Sequence, residues 1–441
     1  MLLNNLNNDQ GFRNFYMNKR GPIINHLCFD DDVILFSSGN RKSLKRIMRT
    51  LKTYEDVSGQ LVNKHKSSVI LHDKACARRI DRAKRITTMK QECFPINYLG
   101  CPLYLGRKRI STFSVTVQKI LNKIRGWFFK FLSVGGKSVL IKHVLQAMPS
   151  HLLAVMQPPK TVFEIIENAF NRFLWSGSDG NKKLHWSSWD NLSYPINDGG
   201  ANFRKLADIS KAFTTKHWWK LRTKRYLWSL FLNTKYCSRI HPVTNKWRNG
   251  QSHNWKAMCS IKVLVENNLG WIIEKGEVAF WYDNWTDLGP LYKFLDPDSK
   301  PSKLRITDAY QNGHWNWPAC GYVVSDFIKA HIERMQVVLS DKPDLPIWKI
   351  TSSGKFNIES AWNFLRNSRH ESNIVNALCH KAVPFKMSFM AWRVFHRKIP
   401  SNDIIISWFK LLASPNCTCC RVSQPENIDH IFFQSYVASS A

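Results

Sequence analysis

Apolar residues run along both sides of three consecutive aspartates in residues 26–37, so the pattern predicts two short strands with the acids at the hairpin turn between them. Upstream, residues 4–10 suit a helix end, and residues 11–24 suit a strand pair broken at Gly21-Pro22. Beyond Gly39 the period changes. Leu44, Ile47, Met48 and Leu51 recur at helical spacing, with Arg41, Lys42, Lys45, Arg46 and Arg49 on the other side, and Gly59 closes the segment. Residues 110–148 read as helical with a break at Gly135-Gly136, and Val139, Leu140, Val144, Leu145 and Met148 form an apolar stripe. Val162, Phe163, Ile166, Phe170, Phe173 and Leu174 predict another amphipathic helix, and a further one leads up to Trp218-Trp219. Prolines and weak periodicity make residues 287–346 a looser connector with short helices. After it, residues 348–350 and 354–358 alternate as a short hairpin. A helix with Ala361, Trp362 and Leu365 inward follows, then another around Phe389, Trp392 and Phe395. The expected class is α+β, predominantly helical.

Composition and charge sharpen that outline. A chain of 441 residues has room for roughly three domains. A hydrophobic fraction of 44% with 18 Trp argues for packed cores. Lys and Arg total 64 against 32 Asp and Glu, a net charge of +32, which points to a polyanionic partner, most often nucleic acid. No apolar run reaches the ~18 residues of a membrane span. The 11 cysteines are mostly scattered, and no apolar leader precedes residue 26. An intracellular, reducing setting is therefore expected, with close Cys pairs read as metal ligands.

Two clusters carry candidate chemistry. Three adjacent carboxylates at a turn repel one another unless solvent or a divalent cation screens them, and two-metal phosphoryl-transfer sites place carboxylates at a strand turn in this way. Asp30, Asp31 and Asp32 are thus either a solvated acidic turn or part of a magnesium site. Cys417 and Cys420 have the Cys-x-x-Cys spacing of a zinc knuckle, with His430 within reach of a third position. The fourth position is open to water or Cys419. Three protein ligands plus water also describes a catalytic zinc, so a depleted structural site and a catalytic one both remain.

The hairpin of residues 26–37 resembles the metal-binding hairpin of reverse transcriptases, in the form found in plant LINE-type (non-LTR) retrotransposons. In that alignment Asp31 and Asp32 are the catalytic, Mg²⁺-binding pair, and Asp30 stands where the family usually has alanine. Gly59, Asn63, Lys66 and Ser67 resemble the family's next motif, and residues 98–103 (Tyr-Leu-Gly-Cys-Pro-Leu) the one after it, near the primer strand. Trp127, Leu132-Ser133, Gly135-Gly136-Lys137 and Leu140-Ile141-Lys142 match its thumb, and Gly276, Trp281, Asp283 and Trp285 a later pattern. Glu426 and His430 match the middle of the family's zinc-binding module, whose last cysteine falls at Ser435.

The resemblance implies a partial palm over residues 1–106, a thumb-like helical region over 107–150, a Trp-rich helical connector over 151–345 and a zinc-binding module over 346–438. Basic residues Arg107, Lys108, Arg109, Lys123, Arg125, Lys130 and Lys137 punctuate the thumb-like stretch; Arg107, Lys108, Arg109 and Lys137, with Lys66, are the expected contacts to an RNA template, DNA primer or duplex. The implied chemistry is RNA-directed DNA synthesis, and nuclear residence is implied with it. The family's first palm aspartate strand finds no counterpart before residue 26. The expectation is a truncated, inactive polymerase with Mg²⁺ ligands on one side only, or a nucleic-acid-binding remnant without enzymatic activity.

Overall fold

The computed structural model describes residues 2–14, 21–128, 132–176, 184–370, 373–380, 382–410, 414–418, 420 and 423–440. About half the chain is helical, and among the described residues strands pair only two by two. The class is α+β, with helices and ordered loops rather than a continuous sheet supplying the core. The chain divides into two compact units, neither contiguous in sequence. The first comprises Met1–Lys108, Ala154–Gln157 and Ser210–Leu365, the second Arg109–Leu153, Pro158–Ile209 and Arg366–Ala441.

The first unit opens with a 3₁₀ turn, Leu2–Asn8, and the antiparallel hairpin His26–Phe29 with Asp32–Leu35. Among the described residues, 11–14 and 21–25 form no strand where a strand pair over 11–24 was expected; residues 15–20 lie outside the described set. The helix Arg41–Ser58 forms where its ends are satisfied. Asn40 accepts a bond from the Ser43 amide at 2.7 Å, and Gly59, at φ +72°, returns its own amide to the Glu55 carbonyl. Leu44 and Ile47 are buried, and Ile47 joins Leu6 and Phe12 in a small core, while Arg41, Lys42, Lys45 and Arg49 face solvent. Further on, Ser68–Ile70 pairs in parallel with Lys90–Glu92 across the helix Ala77–Thr87. Ile96–Tyr98 and Cys101–Leu103 form a hairpin whose two turn residues, Leu99 and Gly100, both have positive φ, as a type I′ turn requires.

Much of the expected loose connector over 287–346 joins the residues just before it in a packed core. Phe280, Trp281, Trp285, Ile306 and Ile332 are buried together in one core. Its elements are short helices and turns, so no long period marks it in the sequence. Hydrogen bonds hold it instead. Trp281 donates to the Cys320 carbonyl at 3.1 Å and Trp285 to the Phe280 carbonyl at 2.8 Å. The Asp344 carboxylate accepts four backbone amides, those of Glu274, Gly276, Glu277 and Val278. The strand Leu345–Trp348 pairs with Leu269–Ile272; of the hairpin with residues 354–358 that the local alternation suggests, no strand forms, though the Trp348 amide donates to the Gly354 carbonyl at 2.7 Å. A long-range partner wins because Trp348 is wholly buried there and stacks edge-on against Trp219 and Phe356. Beneath this core lies a buried ion network: Arg222 donates to Glu266 at 2.8 Å and also to Asp283, while the Trp218 indole donates to Glu266 at 2.6 Å.

In the second unit the helix Ser114–Phe128 packs on Lys160–Trp175, whose Ile166, Phe170, Phe173 and Leu174 are buried. Gly135 and Gly136 do not break a helix. They sit in the first turn of Val134–Leu140, where the Ser133 hydroxyl accepts the Gly136 amide at 3.1 Å. The glycine at 135 fits a close approach: a Cβ there would stand 3.1 Å from the Phe385 ring. The expected apolar stripe is also displaced. The π turn Ile141–Leu145 inserts a wider step, so Ile141 and Leu145 are buried and Val139 is left 56% exposed.

Candidate metal centre and basic residues

The knuckle is built on a short antiparallel bridge. Asn416 pairs with Pro425, the Cys417 amide donates to the Gln424 carbonyl at 2.8 Å, and the Glu426 amide to the Pro415 carbonyl at 2.7 Å. This doubles the chain back and brings Cys417 and Cys420 over the turn that carries His430. The side chain of Asn427 accepts the His430 amide at 2.8 Å, which fixes where the imidazole leaves the backbone. The ligand atoms of Cys417, Cys420 and His430 all lie within 4.8 Å of one another, and Cys420 Sγ is 3.3 Å from His430 Nε2. Zinc bonds of ~2.3 Å to sulfur and ~2.1 Å to nitrogen, at a tetrahedral angle, impose an S to N edge of ~3.6 Å. Two thiols and an imidazole at that separation suit zinc.

Ser435, at the place of the family's last cysteine, is buried but turned away from the metal role. Its hydroxyl donates to the Ile431 carbonyl at 3.3 Å and accepts the Ala438 amide at 3.1 Å. Cys419 lies outside the described residues. Glu426, which the resemblance aligned with an acidic position, has a visible use: its carboxylate accepts the Asn402 amide at 3.2 Å and its carbonyl the Asp403 amide at 3.2 Å, so it seats the helix Asn402–Phe409 against the knuckle.

The acidic hairpin is placed as expected but does not converge. Asp30, at φ +50°, and Asp31 make the turn, Asp32 opens the second strand opposite Phe29, and all three are exposed. Among the described residues their carboxylates form no three-donor group with one another or with any other acid. This donor set does not fit a two-metal centre, and no step through magnesium is derived from it.

Of the expected nucleic-acid contacts, Lys66, Arg107 and Arg109 are exposed, while Lys108 is half-buried. Burial, with Lys256 nearby, lowers the Lys108 pKa. Lys137 is used differently. It is 4% exposed, and its ammonium donates to the Ser176 carbonyl at 2.7 Å and hydroxyl at 3.0 Å. Its charge is satisfied inside the fold and is not presented to a phosphate backbone. Lys130 lies outside the described residues. Among the described residues no helix is long and apolar enough to cross a membrane.

These features define a basic α+β chain carrying a Cys-Cys-His metal knuckle, and the comparisons agree with the knuckle. Residues 356–441 match the family described as zinc-binding in reverse transcriptase. An Arabidopsis thaliana protein named "Putative ribonuclease H protein" is 25% identical over 317 residues, 67% of this chain and 50% of that protein. An "Uncharacterized mitochondrial protein" of the same plant is 24% identical over 152 residues, 33% of this chain and 99% of that one. The chain thus spans about half the length of the first of these relatives.

Proposed function

We propose that this chain is a reverse-transcriptase-related protein of the plant LINE type, which holds nucleic acid through exposed basic residues and is locked locally by zinc. The observation that carries the reading is the convergence of Cys417, Cys420 and His430 within the segment that matches the reverse-transcriptase zinc-binding family. The charge of +32 and the ribonuclease H name of a relative support a nucleic-acid partner. In this reading the hairpin His26–Phe29 with Asp32–Leu35 and the elements up to Leu103 are palm-derived, and the helices from Ser114 onward form the thumb-like part. Cys417, Cys420 and His430 would hold the zinc, which supplies a fixed crosslink between the two arms of the knuckle.

Binding is favoured over polymerisation because Asp31 and Asp32 lack a third carboxylate among the described residues. Fluorescence anisotropy with labelled DNA and RNA duplexes tests this. Affinity should fall steeply between ~50 and ~200 mM salt. A flat dependence would remove the nucleic-acid reading. Primer extension by the protein and by Asp31→Asn separates the two activities: a signal lost in the variant would establish catalysis and overturn the preference for binding alone.

A further inference from the structure

The second unit contains a cavity of ≈250 Å³ that no family motif accounts for. Ser187, Gly199 and Trp392 are its buried lining. Asn191, Arg369, His396 and Lys398 complete it, Arg369 on the solvent side. The volume is below the ~300–1,000 Å³ of sites that enclose whole small molecules, so it suits one functional group of a larger ligand.

The lining is rigid. Gly199, at φ +77°, accepts the Trp392 indole at 2.9 Å, and a Cβ on Gly200 would stand 2.0 Å from the Tyr194 carbonyl oxygen, so only glycine fits there. Arg369 lies 3.8 Å over the Tyr194 ring, and one guanidinium nitrogen donates to Asn191 at 2.9 Å, which leaves other N–H groups for a ligand. Lys398 is fixed through its backbone: its amide donates to the Arg393 carbonyl at 2.7 Å and its carbonyl accepts Arg393 Nε at 3.0 Å. The Ser187 hydroxyl and His396 Nε2 are buried without a hydrogen-bond partner.

No acid lines the cavity, and those nearby are already committed. Asp198 pairs with Arg366, Asp190 with Lys205, and Asp429 with Arg397. The local field is therefore positive. His396 registers it: burial lowers its pKa and Lys398 and Arg369 lower it further, against an opposing pull from the Gly199 backbone. The lining residues thus bring a guanidinium, an ammonium and an orphaned hydroxyl to one small cavity, the donor types that bind an oxyanion.

We propose that this cavity is a phosphate-binding subsite, in which Arg369 and Lys398 hold a phosphate group and the Ser187 hydroxyl and His396 donate to its oxygens. The phosphate can belong to a strand end or to an internal phosphodiester, and the two are separable. Calorimetric titration of the full chain with inorganic phosphate, with a 5′-phosphorylated dithymidylate and with its 5′-hydroxyl form tests the site. Wild type should bind phosphate at least tenfold more tightly than Lys398→Met, with Ser187→Ala intermediate and the melting temperatures unchanged. Preference for the 5′-phosphorylated form assigns strand ends, and equal binding assigns internal phosphodiesters. Equal phosphate binding by wild type and both variants would overturn the proposal. Ser187→Ala removes only an unpaired hydroxyl, so it keeps the test open if Lys398→Met misfolds. The inference does not depend on the nucleic-acid reading: duplex retention without phosphate binding removes the subsite alone, and phosphate binding without duplex retention removes that reading alone.

Discussion

Replacing Arg222 with methionine should expose how much of the first unit depends on its buried ion network. The Arg222 side chain is 7% exposed, and those of Glu266 and Asp283 are 6% each. Methionine fills much of the arginine stem's space but carries no charge, so both carboxylates remain buried and unpaired. Glu266 already has one oxygen without a partner. Removing one member of a buried ion network costs ~3–5 kcal/mol. For a unit of this size that lowers the melting temperature by roughly 6–20 °C. In the intact protein burial raises the Glu266 pKa and Arg222 is the largest force opposing it, so losing Arg222 raises it further. A carboxylate raised above its unfolded value of ~4.3 destabilises the fold at neutral pH and is relieved as pH falls through the raised value. The deficit of Arg222→Met relative to wild type should therefore shrink between pH ~7 and ~5. Thermal melts followed by near-ultraviolet circular dichroism measure both effects, and adding Glu266→Gln with Asp283→Asn should recover most of the loss. A melting temperature within a degree or two of wild type, or a deficit that grows as pH falls, would refute the reasoning.

Three further outcomes follow from other sites. Ser435→Cys should tighten zinc binding at least tenfold in competition with a chromogenic chelator, because a thiol freed of the hydroxyl's bonds to Ile431 and Ala438 can turn to the knuckle as a fourth ligand; an unchanged affinity would refute this. Burial raises the Glu167 pKa to about 7 although its carboxylate accepts the Leu206 amide, so stability should fall as pH rises through that value, and Glu167→Gln, which keeps the acceptor, should gain about 1–3 kcal/mol at pH ~8 and lose most of the slope. Asp344→Ala strands four amides at once and should cost about 3 kcal/mol or more in urea titrations, with Asp344→Asn between it and wild type.

Local signals carried part of this picture and tertiary contacts the rest. The hairpin at Asp30-Asp31 and the helix between Gly39 and Gly59 are written in neighbouring residues and were legible; the Asn40 cap and the turn at Leu99-Gly100 are equally local but were not read from the sequence. The knuckle was legible because Cys-x-x-Cys spacing is itself a geometric statement. What failed depended on distant partners. Trp348 finds its strand partner in Leu269, 79 residues away, and the core around Phe280 and Trp281 is made of turns whose contacts have no period. Lys137 looked like a surface cation because its partner, Ser176, lies 39 residues on. The cavity around Ser187 and Lys398 had no linear signature at all, since two stretches far apart in sequence, 187–199 and 369–398, supply it. Glu426 escaped for the same reason: the amides of Asn402 and Asp403 that it accepts lie more than 20 residues before it.

The stacked rings of Trp219 and Phe356 bear on how this protein is best dissected. Their planes lie 17° apart with centroids 5.1 Å apart, and Trp348 closes the same aromatic group. Phe356 is also the first residue of the zinc-binding family match, and the helix Ile358–Leu365 behind it belongs to the first compact unit. Scissors applied at that boundary would therefore lift one slab off Trp219 and leave a greasy, unpaired helix on the excised piece. A cut placed after Leu365 would spare Trp219, but it would part Trp392 from Gly199 inside the second unit, so neither site yields two unharmed pieces.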